Sequence, residues 1–180
     1  EITDHLLLGS KIAEIILITK GILVGRKFPE KEILDRIKKI NLTDPKLHLP
    51  TDGMMALTSL DEKYSRIGAI GTLRKEEEIF DIGSETIKIF SEIIKTAKMI
   101  IWNGPIGYFE KPPFDTGTKK IAEAICRNYS AFKIAGGGET DSFLHRAGLR
   151  EKFDHLSTGG GAMLEFLSGE KLPGIEALNR

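Results

Sequence analysis

The 180-residue sequence contains a single cysteine, Cys126, so it cannot form an internal disulfide. A chain whose stability does not depend on oxidation suits a reducing compartment, and we expect a cytoplasmic protein. Its apolar stretches, such as 15–18, are far shorter than the roughly 20 residues that a membrane-spanning helix needs. The N-terminus shows no basic leader before an apolar core, which argues against a signal peptide.

The sequence also lacks an excess of charge of either sign, since 26 Lys and Arg residues balance 26 Asp and Glu residues. A dedicated nucleic-acid binder normally carries a basic excess, because its affinity comes from neutralising phosphates. We therefore expect neither a nucleic acid nor a membrane surface as a partner. Apolar residues make up 41% and charged residues 29%, which is typical of a folded globular domain.

Glycine, in contrast, is abundant. It accounts for 19 of the 180 residues, a larger share than the average of roughly 7%. The glycines include two identical triplets, at 136–138 and 159–161. Each triplet follows a short apolar segment and precedes a segment with helical spacing. The triplets are therefore the first candidates for a functional site.

Hydrophobic spacing predicts strands that alternate with helices along most of the chain. Strands are expected at 5–8, where we expect burial, and at 46–49, 54–58, 99–102, 131–135 and 155–157. Helices are expected at 11–20, 29–40, 140–147 and 162–167, with two more capped by Ser84 and by Asp115 or Thr116. Residues 59–82 favour loops with one edge strand.

This alternation indicates right-handed crossovers and an α/β fold. We expect an open, mostly parallel, Rossmann-like sheet with helices on both faces, which is a three-layer α/β/α arrangement. No linker divides the sequence, so residues 1–180 are expected to form a single domain.

The turns that follow parallel strands lie at one edge of a sheet, where open α/β folds bind ligands. A glycine turn that opens a helix exposes backbone N–H groups, and the helix N-terminus adds partial positive charge. Two such turns on one edge would bind a polyanion, most simply the phosphate chain of a nucleotide. The alternative is that the glycines only make tight turns and allow close packing.

Two common nucleotide motifs are missing from the sequence. It contains no G-x-x-x-x-G-K-[ST] element, so it is not a P-loop protein. A G-x-G-x-x-G turn followed by an acidic residue is also lacking, which leaves a nicotinamide-cofactor domain as a weakly supported alternative.

Three motifs resemble the C-terminal, nucleotide-binding domain of phosphoglycerate kinases. They are W-N-G-P-I-G-Y-F-E at 102–110, A-G-G-G-E-T at 135–140 and S-T-G-G-G-A at 157–162, with L-P-G-I following at 172–175. The weaker segments L-G-S at 8–10 and L-P-T-D at 49–52 are in register with them. The resemblance covers nearly the whole chain but about half of the family's length.

The resemblance implies roles for residues at the nucleoside end of the site. Gly9, Leu49 and Tyr108 would form an apolar slot for adenine, and Gly107 would contribute to the same nucleotide loop. Glu110 would accept hydrogen bonds from the ribose hydroxyls. The expected ligands are ATP and ADP.

The resemblance also implies roles at the phosphate end. Asn103 and Thr140 would lie near the phosphates, and Glu139 would hold Mg²⁺. Four glycines would turn backbone N–H groups towards the transferred phosphoryl group: Gly137, Gly138, Gly160 and Gly161. Among them, Gly138 and Gly161 would be the catalytic pair. Such a site suits phosphoryl transfer, where catalysis is mostly positioning and stabilisation of charge.

Three residues depart from the family pattern. Glu139 stands where the family has Asp, Tyr108 replaces a small aliphatic residue, and Ser10 replaces a second glycine. The longer glutamate changes how Mg²⁺ would be placed, because that ion demands near-ideal octahedral geometry.

The resemblance implies one half of an enzyme that transfers a phosphoryl group reversibly between 1,3-bisphosphoglycerate and ADP in glycolysis. The family's N-terminal domain binds 3-phosphoglycerate or 1,3-bisphosphoglycerate and is absent, so we expect a fragment of a longer two-domain chain. Alone it should bind nucleotide weakly and transfer phosphate poorly or not at all. The alternative is a non-catalytic nucleotide-binding or interaction module derived from that family.

Other conspicuous residues favour structural roles. Trp102 is expected in the core, Cys126 is expected to be an unreactive packed thiol, and 76–78 is expected to be a solvated acidic segment. The four histidines lack metal-ligand spacing, which argues against zinc.

Overall fold

The structure is a computed structural model that describes residues 3–58 and 64–178. Within those residues the strands are β1 (Leu6–Leu7), β2 (Leu47–His48), β3 (Asp52–Leu57), β4 (Arg66–Ala69), β5 (Glu77–Ile82), β6 (Met99–Asn103), β7 (Phe132–Gly136) and β8 (His155–Ser157). The α-helices are α1 (Ser10–Thr19), α2 (Lys31–Ile37), α3 (Ser84–Thr96), α4 (Thr116–Arg127), α5 (Gly138–Arg146), α6 (Gly160–Leu167) and α7 (Pro173–Leu178). None of the described helices has the length and apolarity to cross a membrane.

The strands form three hydrogen-bonded sheets in the described part of the chain. β1 and β2 are parallel, and β6, β7 and β8 form a parallel sheet in that spatial order. The third sheet is antiparallel, with β3 between β4 and β5. The predicted α/β class with mostly parallel strands is confirmed, although the strands do not form one continuous ladder.

The antiparallel sheet differs from the sequence-based prediction, which gave one edge strand within 59–82. Residues 59–63 lie outside the described residues, and the rest of that segment contributes both β4 and β5. Glu77 is only 4% exposed and receives two hydrogen bonds from the Arg66 guanidinium, at 2.8 and 2.6 Å. The prediction of a solvated acidic segment is therefore wrong for Glu77. These bonds hold the pKa of its carboxyl at about 2, below the usual value.

The main core lies between the parallel sheet and helices α3, α4 and α5. Its buried members from these helices are Phe90, Ile94, Ile121, Ala122, Ile125, Phe143 and Leu144. Trp102 of β6 joins them at 6% exposure, as predicted, and each large apolar side chain buried here contributes about 1.5–3 kcal/mol. A second, smaller cluster contains Leu17, Ile18, Leu23 and Ile70. The core thus fixes the strands whose ends carry the glycine triplets.

Two predicted segments are shorter or less buried than expected. The helix predicted at 29–40 runs only from Lys31 to Ile37, and Ile40 is 50% exposed. The first strand is not fully buried, because Leu6 is 46% exposed.

Helices α3 and α4 are capped by carboxylates from neighbouring strands. Gly83, and not the predicted Ser84, occupies the N-cap of α3. Asp52 of β3 accepts hydrogen bonds from the Thr86 and Glu85 backbone N–H groups, at 2.8 and 3.0 Å. Asp115 is the N-cap residue of α4, which was one of the two predicted alternatives, but its side chain makes no capping bond. The carboxylate that caps α4 is Asp81 of β5, which accepts a hydrogen bond from the Gly117 N–H. A distant carboxylate can satisfy the first N–H groups of a helix as well as a local cap.

Candidate functional site

The carboxyl ends of β6, β7 and β8 lie side by side. Asn103 is paired with Gly136, and Gly136 is paired with Ser157 in turn. The first glycine triplet therefore begins at the end of β7, beside the strand β8 that leads into the second triplet. The Gly137 N–H donates a hydrogen bond to the Ser157 carbonyl at 3.2 Å. The structure brings the two predicted glycine turns together on one edge.

Asn103 lies where the two glycine turns meet. A Cβ atom added to Gly160 would be 2.7 Å from the Gly137 Cα and 2.8 Å from the Asn103 Oδ1. Gly137 has φ of 93°, a left-handed value that favours glycine. Glycine is thus required at 137 and at 160 by close approach and by backbone conformation.

An open cavity of about 330 Å³ lies between the turns. It is lined by Asn103, Gly104, Gly137, Gly138, Glu139, Thr140, Gly160 and Gly161. Cβ atoms added to Gly138 or Gly161 would meet nothing within 4 Å, so these two glycines border open space. Gly138 begins α5 and Gly160 begins α6, so both helix N-termini lie at the cavity. Their N–H groups and dipoles favour an anion there.

Thr140 is fully buried beneath this cavity. Its hydroxyl oxygen accepts a hydrogen bond from the Gly104 N–H at 2.8 Å, and the Trp102 indole N–H donates to the Gly104 carbonyl at 2.8 Å. Thr140 therefore anchors the loop after β6, in addition to lining the cavity.

Glu139 is exposed in the first turn of α5 and supplies the only carboxylate among the residues that line the cavity. In residues 3–58 and 64–178, no three His, Cys, Asp or Glu side chains form a group that could hold a metal ion. Mg²⁺ is commonly held by one or two carboxylates together with substrate phosphates. A single carboxylate beside an anion-binding cavity fits that pattern.

A second cavity, of about 290 Å³, is lined by two of the residues expected at the nucleoside end, Gly107 and Tyr108. Tyr108, which is 40% exposed, lines it together with Gly107, Ser10 and Pro50. Gly9 packs directly against Ile106 of the same loop. The cavity thus lies between α1, which begins directly after the loop that follows β1, and β5 together with the loop after β6.

Gly9 and two other residues predicted at the nucleoside end do not line this cavity. Leu49 precedes Pro50 but packs on the second core cluster, and Glu110 is exposed two residues beyond Tyr108. The structure therefore places Gly9 against Ile106 of the loop that carries Tyr108, and leaves Leu49 packed on the second core cluster.

Ser10 links the two loops. It has φ of 50°, and its N–H donates to the Ile106 carbonyl at 3.1 Å. Its hydroxyl lies 2.9 Å from the Pro105 carbonyl and 2.7 Å from that of Ile106. A left-handed backbone explains why the family resemblance places glycine at this position.

Sequence reasoning missed the residues that support the loop at 104–110. The Thr118 hydroxyl accepts hydrogen bonds from the Ile106 and Gly107 N–H groups, and Asp81 packs against Gly107 from below. The signal that could have pointed to this support was the Gly117-Thr118 pair at the start of the helix that follows the loop. Lys11 and Glu14, which form an ion pair at 2.6 Å beside the second cavity, were also missed.

Comparisons with known proteins agree with the geometry. The sequence model described as phosphoglycerate kinase matches residues 1–170. A phosphoglycerate kinase from Thermomicrobium roseum is 38% identical over 97% of this chain and 45% of its own length. The phosphoglycerate kinase structure from Coxiella burnetii has a TM-score of 0.84 at 35% identity, over 97% of this chain and 46% of that one. The structure from Pyrococcus horikoshii OT3 has a TM-score of 0.80 at 33% identity, over 98% and 45%.

The chain therefore spans less than half the length of these relatives. Both the sequence match and the structural match extend over nearly all of it, and include every segment that carries the two glycine turns. The chain belongs to the phosphoglycerate kinase family.

Proposed function

We propose that this chain is the ATP- and ADP-binding half of a phosphoglycerate kinase, and that residues 1–180 act as one nucleotide-binding domain. The observation that carries the proposal is the meeting of two glycine turns at Asn103 around an open cavity. Family membership supports the class of reaction, which is phosphoryl transfer to and from a nucleotide.

The phosphates would occupy the cavity of about 330 Å³ between the turns. Gly138 and Gly161 line this cavity and border open space, so we expect their backbone N–H groups to be accessible to an anion. Backbone donors fixed at helix N-termini need no reorganisation when charge develops on the transferred group. Gly137, Gly160 and Asn103 would complete this wall, with Thr140 beneath it.

Glu139 is the residue that would hold Mg²⁺, since it is the carboxylate at the cavity. When bound with the nucleotide, the ion would neutralise charge on the phosphate oxygens.

The nucleoside would lie at the second cavity, with adenine against Tyr108 and Gly9 and the ribose hydroxyls near Glu110. Tyr108 exposes 40% of its surface there and could stack on the base. Gly107 and Leu49 would support this slot from the loop and from the core.

The phosphoglycerate substrate would be bound by another domain. The sequence has no dense basic cluster that could bind 3-phosphoglycerate or 1,3-bisphosphoglycerate, so the glycolytic transfer between 1,3-bisphosphoglycerate and ADP would need a further domain. We expect the isolated chain to bind nucleotide and to show little or no turnover in a coupled kinase assay.

Isothermal titration calorimetry with ADP, with and without Mg²⁺, tests the proposal. We expect binding that strengthens when Mg²⁺ is present. Absence of binding would favour a non-catalytic module derived from this family, and preference for NAD over ADP would favour a nicotinamide-cofactor domain. Turnover by the isolated chain near that of a full-length enzyme would contradict the need for a second domain.

A further inference from the structure

The loop at 104–110 is held by neighbouring elements through its own backbone. The Ile106 and Gly107 N–H groups donate to the Thr118 hydroxyl oxygen, at 3.2 and 3.1 Å. The next N–H group, that of Tyr108, donates to the Phe80 carbonyl of β5 at 2.7 Å. Three successive backbone donors are thereby fixed, and two of them belong to Gly107 and Tyr108, which are proposed to lie at the nucleoside.

Thr118 is fully buried in the first turn of α4. It cannot contact a bound nucleotide itself, because none of its surface is accessible. One hydroxyl oxygen has two lone pairs, which matches the two N–H groups that it receives. Both hydrogen bonds are partly buried, and an N–H group that loses its acceptor in such a place is costly, so the hydroxyl favours one position of the loop.

Asp81 of β5 fixes the start of α4, and therefore fixes Thr118. Its carboxylate accepts hydrogen bonds from the Gly117 N–H at 2.5 Å and from the Ile82 N–H at 2.8 Å. A Cβ atom on either Gly107 or Gly117 would overlap this carboxylate. The loop and the start of α4 thus both pack against the Asp81 carboxylate, at positions where neither has a side chain of its own.

We propose that Thr118, seated by Asp81, is a positioning residue that sets the distance between the nucleoside end and the phosphate end of the site. It acts through Ile106 and Gly107 and not by contact with the ligand. This inference rests on the proposed function, since it assumes that the loop at 104–110 binds a nucleoside diphosphate.

A purely structural role for Thr118 makes a different prediction. In that case its loss would lower the free energy of unfolding without a separate effect on nucleotide affinity. Asn128, at the opposite end of α4, provides the matched control. It is buried, and its Oδ1 accepts hydrogen bonds from the Ser130 and Ala131 N–H groups, at 3.2 and 3.1 Å.

The test compares ADP dissociation constants of Thr118→Val, Thr118→Ser and Asn128→Ala by calorimetry, with stability measured by urea unfolding. We expect Thr118→Val to weaken ADP binding at least tenfold, Thr118→Ser to restore most of it, and Asn128→Ala to change it less than twofold. Equal affinity losses in Thr118→Val and Asn128→Ala, or unchanged affinity in both, would overturn the positioning role.

A measurement on the wild-type chain covers the case in which Thr118→Val does not fold. Amide hydrogen exchange at Ile106 and Gly107 should slow at least tenfold when ADP binds, because the nucleoside would lock a loop that these bonds pre-form. Unchanged exchange at both amides with ADP bound would overturn the inference and leave the proposed function standing. A wild-type chain that does not bind ADP would instead overturn the proposed function.

Discussion

Asn103 and Gly160 are so close that a Cβ atom on Gly160 would lie 2.8 Å from the Asn103 Oδ1. They come from the ends of β6 and from the start of α6, which are 57 residues apart in the sequence. Between them lies Gly137, whose Cα would be 2.7 Å from the same Cβ atom. This contact brings the two glycine turns into one site.

Gly160→Ala should disturb that contact. The added methyl group meets backbone on one side, so we expect a loss of about 1–3 kcal/mol in the free energy of unfolding, together with weaker ADP binding. Gly174→Ala in α7 is the control, because its Cβ atom would meet nothing within 4 Å. It should change stability by less than about 0.5 kcal/mol in urea unfolding. Equal stability of the two variants would contradict the close approach at Gly160.

Ser10 should tolerate glycine better than alanine. At φ of 50° a side chain costs about 1–2 kcal/mol, and glycine removes that cost while alanine retains it. Both substitutions lose the hydroxyl contacts with the Pro105 and Ile106 carbonyls. We therefore expect Ser10→Gly to be more stable than Ser10→Ala by about 1 kcal/mol in thermal or urea unfolding. The reverse order would mean that the backbone at Ser10 is not left-handed.

Asp81 should make the protein less stable as the pH rises towards neutrality. Burial raises the pKa of its carboxyl to about 7, against hydrogen bonds from Gly117 and Ile82 that lower it, and nearby Asp115 raises it further. The folded state therefore binds a proton that the unfolded state has released above pH 4. The free energy of unfolding should fall between about pH 4 and pH 7.

Asp81→Asn removes that proton and should flatten this part of the pH profile. Urea unfolding at pH 5, 6, 7 and 8 checks it, with wild type and variant compared at each pH. The other charged groups that line the cavity beside Asp81, which are Lys11, Glu14 and Glu78, remain in both proteins. An identical slope in the two proteins would show that Asp81 does not titrate in this range.

Glu77 should have the opposite pH dependence. Hydrogen bonds from Arg66 hold the pKa of its carboxyl at about 2, so the stability it contributes is complete above about pH 4.5 and is lost as the pH falls towards 2. We expect Glu77→Gln to cost about 1.5–3 kcal/mol at pH 7, because charge-assisted hydrogen bonds are lost. The difference from wild type should shrink near pH 3. The exposed Glu76→Gln is the control, and a comparable loss there would contradict this assignment.

The strand and helix pattern around the glycine triplets was predictable from the sequence. Each triplet stands between an apolar run and a helical segment, and only a parallel sheet places both turns on one edge. The register that aligns Asn103, Gly136 and Ser157 confirms that they are neighbours. The apolar faces of α3 and α4 were equally clear, since Phe90, Ile94, Ile121 and Ile125 recur at helical spacing.

The parts that were not predictable depend on contacts between residues distant in sequence. β5 begins with charged residues, and nothing local shows that Arg66 allows Glu77 to be buried. In the same way Asp52 and Asp81 cap helices that begin more than 30 residues later, so Ser84 was the wrong cap. A buried polar group satisfied by a distant partner leaves no periodic signal in the sequence.

Gly138→Val tests the central claim most directly. Gly138 has no left-handed backbone and its Cβ atom would point into open space, so valine should leave the fold intact while blocking phosphate approach. Gly71→Val, at a glycine that also borders open space but lies outside the site, is the matched control. We expect calorimetry to show at least tenfold weaker ADP binding for Gly138→Val and no change for Gly71→Val. Wild-type affinity in Gly138→Val would mean that the glycine triplet is only a turn.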